Sequence, residues 1–261
     1  MAETEREREA VLVADSYMVL EGAGVPIRRV LPSRAVPVGL VDPFLLLDHF
    51  KMEAFGGEGE AFPPHPHRGF EIVTYMIEGS SSHSDSEGNR GTVPAGGLQR
   101  ITAGRGIWHG EGSGEGRAGP AEGLQLWINL ARAQKGIPPG YQAVQPDEIP
   151  ERTIGAARVR VLVGEGSPTR LQTPVRYYDV QLPPQGQATF DVPVGDQGFA
   201  YVLRGAGRFG RNRAAAGAGQ LVVLGAGGAF AVQAGDEGVR FVLAAGRPHR
   251  EPVYFNGPFV D

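Results

Sequence analysis

The chain has no cysteine. That excludes disulfides and thiolate ligands together, so any metal it holds must be bound by nitrogen and oxygen. It also has no apolar run near the roughly 20 residues that span a bilayer. Its charged start, residues 3–9, is the opposite of a signal peptide, so a cytoplasmic location with no membrane partner is expected. No basic stripe is present. With a formal net charge of −4 and a pI near 5.9, the chain is not expected to contact nucleic acid directly, while a protein partner stays open. Lysine is nearly absent, Lys51 and Lys135 being the only two.

What is abundant is punctuation. The 40 glycines and 21 prolines interrupt short apolar runs and do not form a low-complexity tract, which is the pattern of an all-β protein rich in turns. Strands are expected over 25–31, 42–50, 70–77, 98–102, 107–111 and 124–130, then over 158–163, 175–182, 199–203, 220–224 and 239–244. This spacing suits a sandwich or barrel. Residues 4–10 read as a disordered tail or frayed helical turn, 55–61 and 112–123 as loops, and 80–91 as a polar, turn-like stretch. A Pro-rich connector over 138–150 suggests two domains, 1–137 and 138–261.

Two short clusters stand out within the first half. One is Pro64-His65-Pro66-His67-Arg68-Gly69-Phe70-Glu71, the other Gly106-Ile107-Trp108-His109-Gly110-Glu111. In a strand, residues two apart share a face, so His65 with His67, and His109 with Glu111, each form half of a metal site. Antiparallel strands between them would bring the halves together as three imidazoles and one carboxylate.

The second half looks like a weak copy of the first. Tyr201-Val202-Leu203-Arg204-Gly205 matches Tyr75-Met76-Ile77-Glu78-Gly79, and Ala226-Gly227 falls opposite Ala103-Gly104. On these offsets, Asp191, Pro193, Val232 and Ala234 stand where the first half has His65, His67, His109 and Glu111. The copy keeps the scaffold without the ligands. Gly205-Ala206-Gly207-Arg208-Phe209-Gly210 fits a dinucleotide-binding spacing, but no amphipathic helix follows, and it reads as a hairpin turn.

Along nearly its whole length the sequence resembles the pirin family of bicupins. The resemblance is carried by Asp42-Pro43-Phe44-Leu45-Leu46-Leu47-Asp48, the 64–71 cluster, Thr102-Ala103-Gly104-Arg105-Gly106 and Gly257-Pro258-Phe259-Val260. It implies two jelly-roll cupin barrels in tandem, with one metal, typically iron, in the first. It also implies the ligands His65, His67, His109 and Glu111. Some members of the family have quercetin 2,3-dioxygenase activity, and animal members are nuclear co-regulators of transcription. Cupins in general take their carboxylate from the first motif, where Glu71 has the right spacing, whereas pirins take it from the second. Glu111 therefore ranks ahead of Glu71, which is expected to orient a ligand or pack.

Three neutral imidazoles and one carboxylate leave a divalent ion with net charge near +1 and, in octahedral geometry, two open positions. That suits Fe(II), with Mn, Co, Ni and Cu as competitors, while a closed tetrahedral zinc site would leave no room for chemistry. The leading reading is a dioxygenase of quercetinase type acting on a small, flavonol-like aromatic and dioxygen, with Glu111 as base and Glu71 as fallback. A metal- or redox-sensing regulator acting through a protein partner and a cupin isomerase or hydrolase are the alternatives. Of the remaining histidines, His49 reads as a hydrogen-bonded strand-end residue near the barrel mouth, His83 as solvated and His249 as structural. Because the copy at Asp191, Pro193, Val232 and Ala234 has lost its donors, elemental analysis of the chain after dialysis against excess metal should find one equivalent; two would contradict the reading.

Overall fold

The computed structural model describes residues 6–55, 61–113 and 119–261. Among them there is no α-helix, only strands and three single 3-10 turns, and so no helix long and apolar enough to cross a membrane. A seven-stranded sheet runs in the order Gly140–Val144, Leu98–Thr102, Phe70–Glu78, Gly119–Asn129, Phe44–Phe55, Val25–Leu31, Tyr17–Glu21. Facing it is a four-stranded sheet of Phe62–His67, Ile107–Ser113, Ser80–Asp85 and Arg90–Pro94, and the two enclose the first barrel.

The second barrel is one sheet curled on itself. Its longest strand, Ala229–Gly246, pairs with Gln187–Asp191 near its start and with Val175–Leu182 near its end. Its neighbour Gln197–Phe209 shifts register twice, at 202/204 and 205/207. Such irregularities bend a strand, which lets one sheet turn a corner. At that corner Gly205 has φ +68°, and a Cβ there would lie 2.2 Å from the Gly238 carbonyl oxygen, so only glycine fits.

The barrels pack sheet to sheet. Phe70–Glu78 is buried on both faces: Phe70, Ile72 and Met76 point into the first barrel, while Val73 and Tyr75 join a core shared with Tyr177, Phe199, Tyr201 and Val242 of the second. A strand covered on both sides reads as continuously apolar instead of alternating. Phe44 meets Phe199 edge-on at 5.3 Å in the same layer.

The termini cross between the barrels. Ala10–Asp15 pairs with Gln220–Leu224 of the second barrel, and Phe259 at the other end bridges to Arg68 of the first. Gly140–Val144, just past the division expected at 137/138, pairs with Leu98–Thr102 of the first barrel's sheet.

Several local expectations are corrected. The charged start is not a free tail over its described part: Arg8 is 1% exposed, and its guanidinium donates to the carbonyls of Val192, Pro193, Asp196 and Gly225. The serine-rich 80–91 stretch forms Ser80–Asp85 and the start of Arg90–Pro94, because each alternate residue turns inward against the barrel. Gly205 to Phe209 continue a strand, and the turn falls at 210–213. Residues 56–60 and 114–118 of the two expected loops lie outside the described residues, and a strand has already resumed at Gly119.

Polar groups lock the inter-barrel layer. His49, expected near the barrel mouth, is buried here between Tyr201 and Glu122. Since the carboxylate only accepts, His49 Nε2 donates to Glu122 Oε1 at 2.9 Å and Nδ1 accepts from the Tyr201 hydroxyl at 2.9 Å. Arg204 of the second barrel donates to the other Glu122 oxygen. Burial works to raise the Glu122 carboxyl, but the hydrogen bonds from His49 and Arg204 outweigh it and hold it down at about 2. Stability from this group is therefore complete above its ordinary value of 4.5 and disappears as pH falls from there towards 2. Glu122→Gln should cost about 2 kcal/mol in urea melts at pH 7, with the gap to wild type closing across that window. An equal gap at pH 7 and at the acid end would show that the carboxylate charge does not contribute.

Candidate metal centre

Strand pairing builds the cluster. His65 lies directly opposite His109, and His67 opposite Ile107, so the three histidines project from one face of Phe62–His67 and Ile107–Ser113 into the first barrel. Their ring centroids are 4.7 Å (65–67), 4.4 Å (65–109) and 5.0 Å (67–109) apart. One nitrogen from each lies within 4.8 Å of the others. Burial, then the neighbouring His67, His65 and His83, holds His109 far below the ordinary imidazole range, and burial with His65 pushes His67 down to about 3. These rings are neutral at pH 7, as metal ligands must be.

The orphaned nitrogens give a direct test of whether a cation fits. Both Nδ1 and Nε2 of His109 are buried without a hydrogen-bond partner, although His65 Nδ1 is 2.8 Å from the Pro63 carbonyl and His67 Nδ1 is 3.4 Å from that of Pro258. A buried lone pair with no hydrogen-bond partner, with two further imidazoles beside it, is the chemistry of a nitrogen donor set for a divalent ion. The residues fit such an ion.

Glu111 shares the cavity but lies outside the 4.8 Å group. Gln99 Nε2 donates to its Oε1, Thr74 Oγ1 approaches the same oxygen at 3.5 Å, and Gln125 Nε2 donates to Oε2 at 3.0 Å. These donors come from the seven-stranded sheet, so the carboxylate ties the barrel's two sheets together. The amides are themselves oriented: Trp127 Nε1 donates to Gln125 Oε1 at 3.2 Å, and the Tyr141 hydroxyl to Gln99 Oε1 at 3.4 Å. Burial pushes the Glu111 carboxyl up to about 7 against the pull of Gln125, Thr74 and Gln99. An adjacent dication would bring it down.

Glu71 is on the other face of its strand. Its Oε1 accepts from Thr102 Oγ1 at 2.8 Å, and its Oε2 from the backbone amides of Gln172 at 2.8 Å and Thr173 at 3.2 Å. It therefore holds the second half of the chain against the first and takes no part in lining the histidine cavity.

Sequence reasoning passed over Thr74, Gln99, Gln125 and His83. The signal for Thr74 and Gln125 is a lone polar residue within an apolar run, as Gln125 is in Leu124-Gln125-Leu126-Trp127; Gln99, beside Arg100, carries no such mark. His83 was expected in solvent and is 3% exposed: it stacks on Tyr141 at 4.3 Å, contacts Asp85 at 3.1 Å and lies 5.4 Å from the His109 ring. His249 is structural, with Nε2 3.0 Å from the Asn129 carbonyl.

The cavity beside the histidines has a volume of about 710 Å³ and is lined by Ile27, Leu46, Phe62 and Trp127 among apolar groups, and by His65, His67, Glu111, Gln125, Arg29 and Asp48 among polar ones. That is the size and character of a small-molecule site. Two β barrels in tandem, one with clustered imidazoles inside and one filled by apolar side chains, define a bicupin.

The comparisons agree. The model of the pirin family matches residues 24–128, and that of the pirin C-terminal cupin domain residues 177–261. A pirin-like protein of Arabidopsis thaliana is 42% identical over 253 residues, covering 92% of this chain and 80% of its own. The pirin of Homo sapiens is 40% identical over 252 residues, covering 92% of this chain and 83% of its own. A solved structure, a quercetin 2,3-dioxygenase from Acinetobacter baumannii, superposes with a TM-score of 0.89 at 29% identity over 98% of this chain and 92% of its own. The chain belongs to the pirin family.

Glu71→Ala should leave metal uptake intact and lower stability by about 1–3 kcal/mol, because two backbone amides lose their acceptor. Metal content and a urea melt of the same preparation check this. Loss of metal at unchanged stability would contradict it.

Proposed function

We propose that this chain is a metal-dependent dioxygenase of quercetinase type, acting on a flavonol-like aromatic. The observation that carries the reading is a cluster of three imidazoles, one of them unpartnered at both nitrogens, of which His65 and His67 line a largely apolar cavity of about 710 Å³. The similarity to a quercetin 2,3-dioxygenase supports it. His65, His67, His109 and Glu111 would hold the ion, for which Fe(II) is the first expectation from a donor set of nitrogen and oxygen alone. When bound, such an ion supplies a Lewis acid for the hydroxyl and carbonyl oxygens of the substrate and an electron path to dioxygen.

The chain's own residues do the rest. Glu111 takes the substrate's hydroxyl proton at a carboxylate oxygen, and Gln99 and Gln125 hold that carboxylate in place through both changes of charge. Trp127, stacked on Phe70 at 4.2 Å and 5.0 Å from His67, presents a flat apolar wall beside the ligands. Leu46, Ile27 and Phe62 add apolar surface against which the substrate's ring can pack. Glu71 is on the far face of the sheet, so the role of base falls to Glu111 alone.

Oxygen-electrode turnover of quercetin by protein reconstituted separately with Fe(II), Mn(II), Ni(II) and Cu(II) tests the proposal. At least one ion should support turnover, and Glu111→Gln should lower kcat/KM by about 10²- to 10⁴-fold in a chain that remains folded. No oxygen uptake with any of the four would overturn the dioxygenase reading and favour a regulator read by a protein partner.

A further inference from the structure

Gly257-Pro258-Phe259-Val260 has no part in the chemistry above, yet its placement is costly to arrange. After Ala229–Gly246 completes the second barrel, the chain crosses to the first and ends there as a hairpin of Phe255–Asn256 against Phe259–Val260. Val260 is fully buried among Phe70, Ile72, Ile101 and Ile107, and its amide donates to the Arg68 carbonyl at 2.9 Å. The Arg68 guanidinium lies 5.3 Å over the Phe259 ring and donates to both carboxylate oxygens of Asp261 at 2.8 Å. Lys135 Nζ donates to the carbonyls of Gly69 at 2.8 Å and Val260 at 3.1 Å.

The first barrel is shaped to receive this hairpin. Gly69, at φ +91°, leaves room for it: a Cβ there would sit 1.9 Å from the Val260 carbonyl oxygen. Residues 68 and 69 directly follow His67, so the hairpin docks on the backbone that carries this histidine. The Pro258 carbonyl is 3.4 Å from His67 Nδ1, and Phe255, Gly257 and Pro258 line the cavity that His65, His67 and Glu111 also line. A carbonyl can only accept, so this contact selects the His67 tautomer with the proton on Nδ1 and leaves Nε2 with a free lone pair.

We infer that the C-terminal hairpin completes the histidine site, with Pro258 as the positioning residue that sets the tautomer and ring orientation of His67. The second half of the chain, which has no ligands of its own, thus reaches the site through its last residues. The inference rests on the reading of His67 as a metal ligand, but the tautomer itself can be read without metal.

The test compares the full chain with one ended after Val253, and with Val260→Ala, which removes two buried methyl groups at the chain's end and leaves both barrels whole. Each is freed of metal. The ring ¹⁵N shifts of His67 are recorded, and Ni(II) is then titrated in by calorimetry. The full chain should show His67 protonated at Nδ1. The shortened chain should lose that preference and bind Ni(II) about 10- to 100-fold more weakly, with Val260→Ala shifted in the same direction. Unchanged ¹⁵N shifts in the variants would overturn the inference, as would Ni(II) affinity unchanged from the full chain. If the shortened chain does not fold, Val260→Ala decides by the same two readings. A full chain that takes up no Ni(II) would fail the metal reading instead, and the tautomer comparison would still decide this one.

Discussion

His109 is buried at the centre of the first barrel with neither ring nitrogen hydrogen-bonded. Leaving a buried polar atom unpaired costs about 1–3 kcal/mol, so a fold keeps such a group only where something else depends on it. Here the neighbours are arranged around that lone pair. Strand register brings His65 opposite His109, with His67 two residues further along the same face, and each has its Nδ1 turned to a backbone carbonyl. Glu111 is suspended between sheets by amides that Trp127 and Tyr141 orient in turn. The polar interior of this barrel is thus specified several residues deep, as a site that must hold its geometry requires.

The second barrel shows what the same scaffold does without that demand. Its interior is an apolar cluster that includes Phe190, Phe209, Phe230 and Phe241 together with Val232 and Ala234. Beside it, Arg8 satisfies the backbone carbonyls of Val192, Pro193, Asp196 and Gly225. The barrels are nevertheless tied together. Glu71 binds the amides of 172 and 173, Tyr75 donates to Asp179 at 2.8 Å, and the two chain ends are exchanged.

The histidine cluster is legible in the sequence because strand geometry is periodic: residues 65 and 67 share a face whatever the rest of the fold does, and the antiparallel partner strand that carries His109 shows at 107–111. Which face of a strand looks inward was not legible where both faces are buried. Glu71 and Thr74 lie in one apolar run, and only the packing of the second barrel on the first turns Glu71 away from the cavity. Arg8 was read as part of a tail because its charge suggests solvent, and its partners, distant backbone carbonyls, leave no mark on a sequence. The serines of 80–85 misled in the same way: they form a strand whose inward position is taken by His83, hidden among turn-forming neighbours.

The account depends most on Glu111 joining the three imidazoles once an ion is present, since its carboxylate is turned onto Gln99 and Gln125 here. An anomalous difference map from crystals grown with Fe(II) or Ni(II) measures this directly. The account predicts a single peak within coordination distance of nitrogens from His65, His67 and His109 and of one Glu111 oxygen. A peak elsewhere, or one bound by the histidines with no Glu111 oxygen within coordination distance, would contradict it.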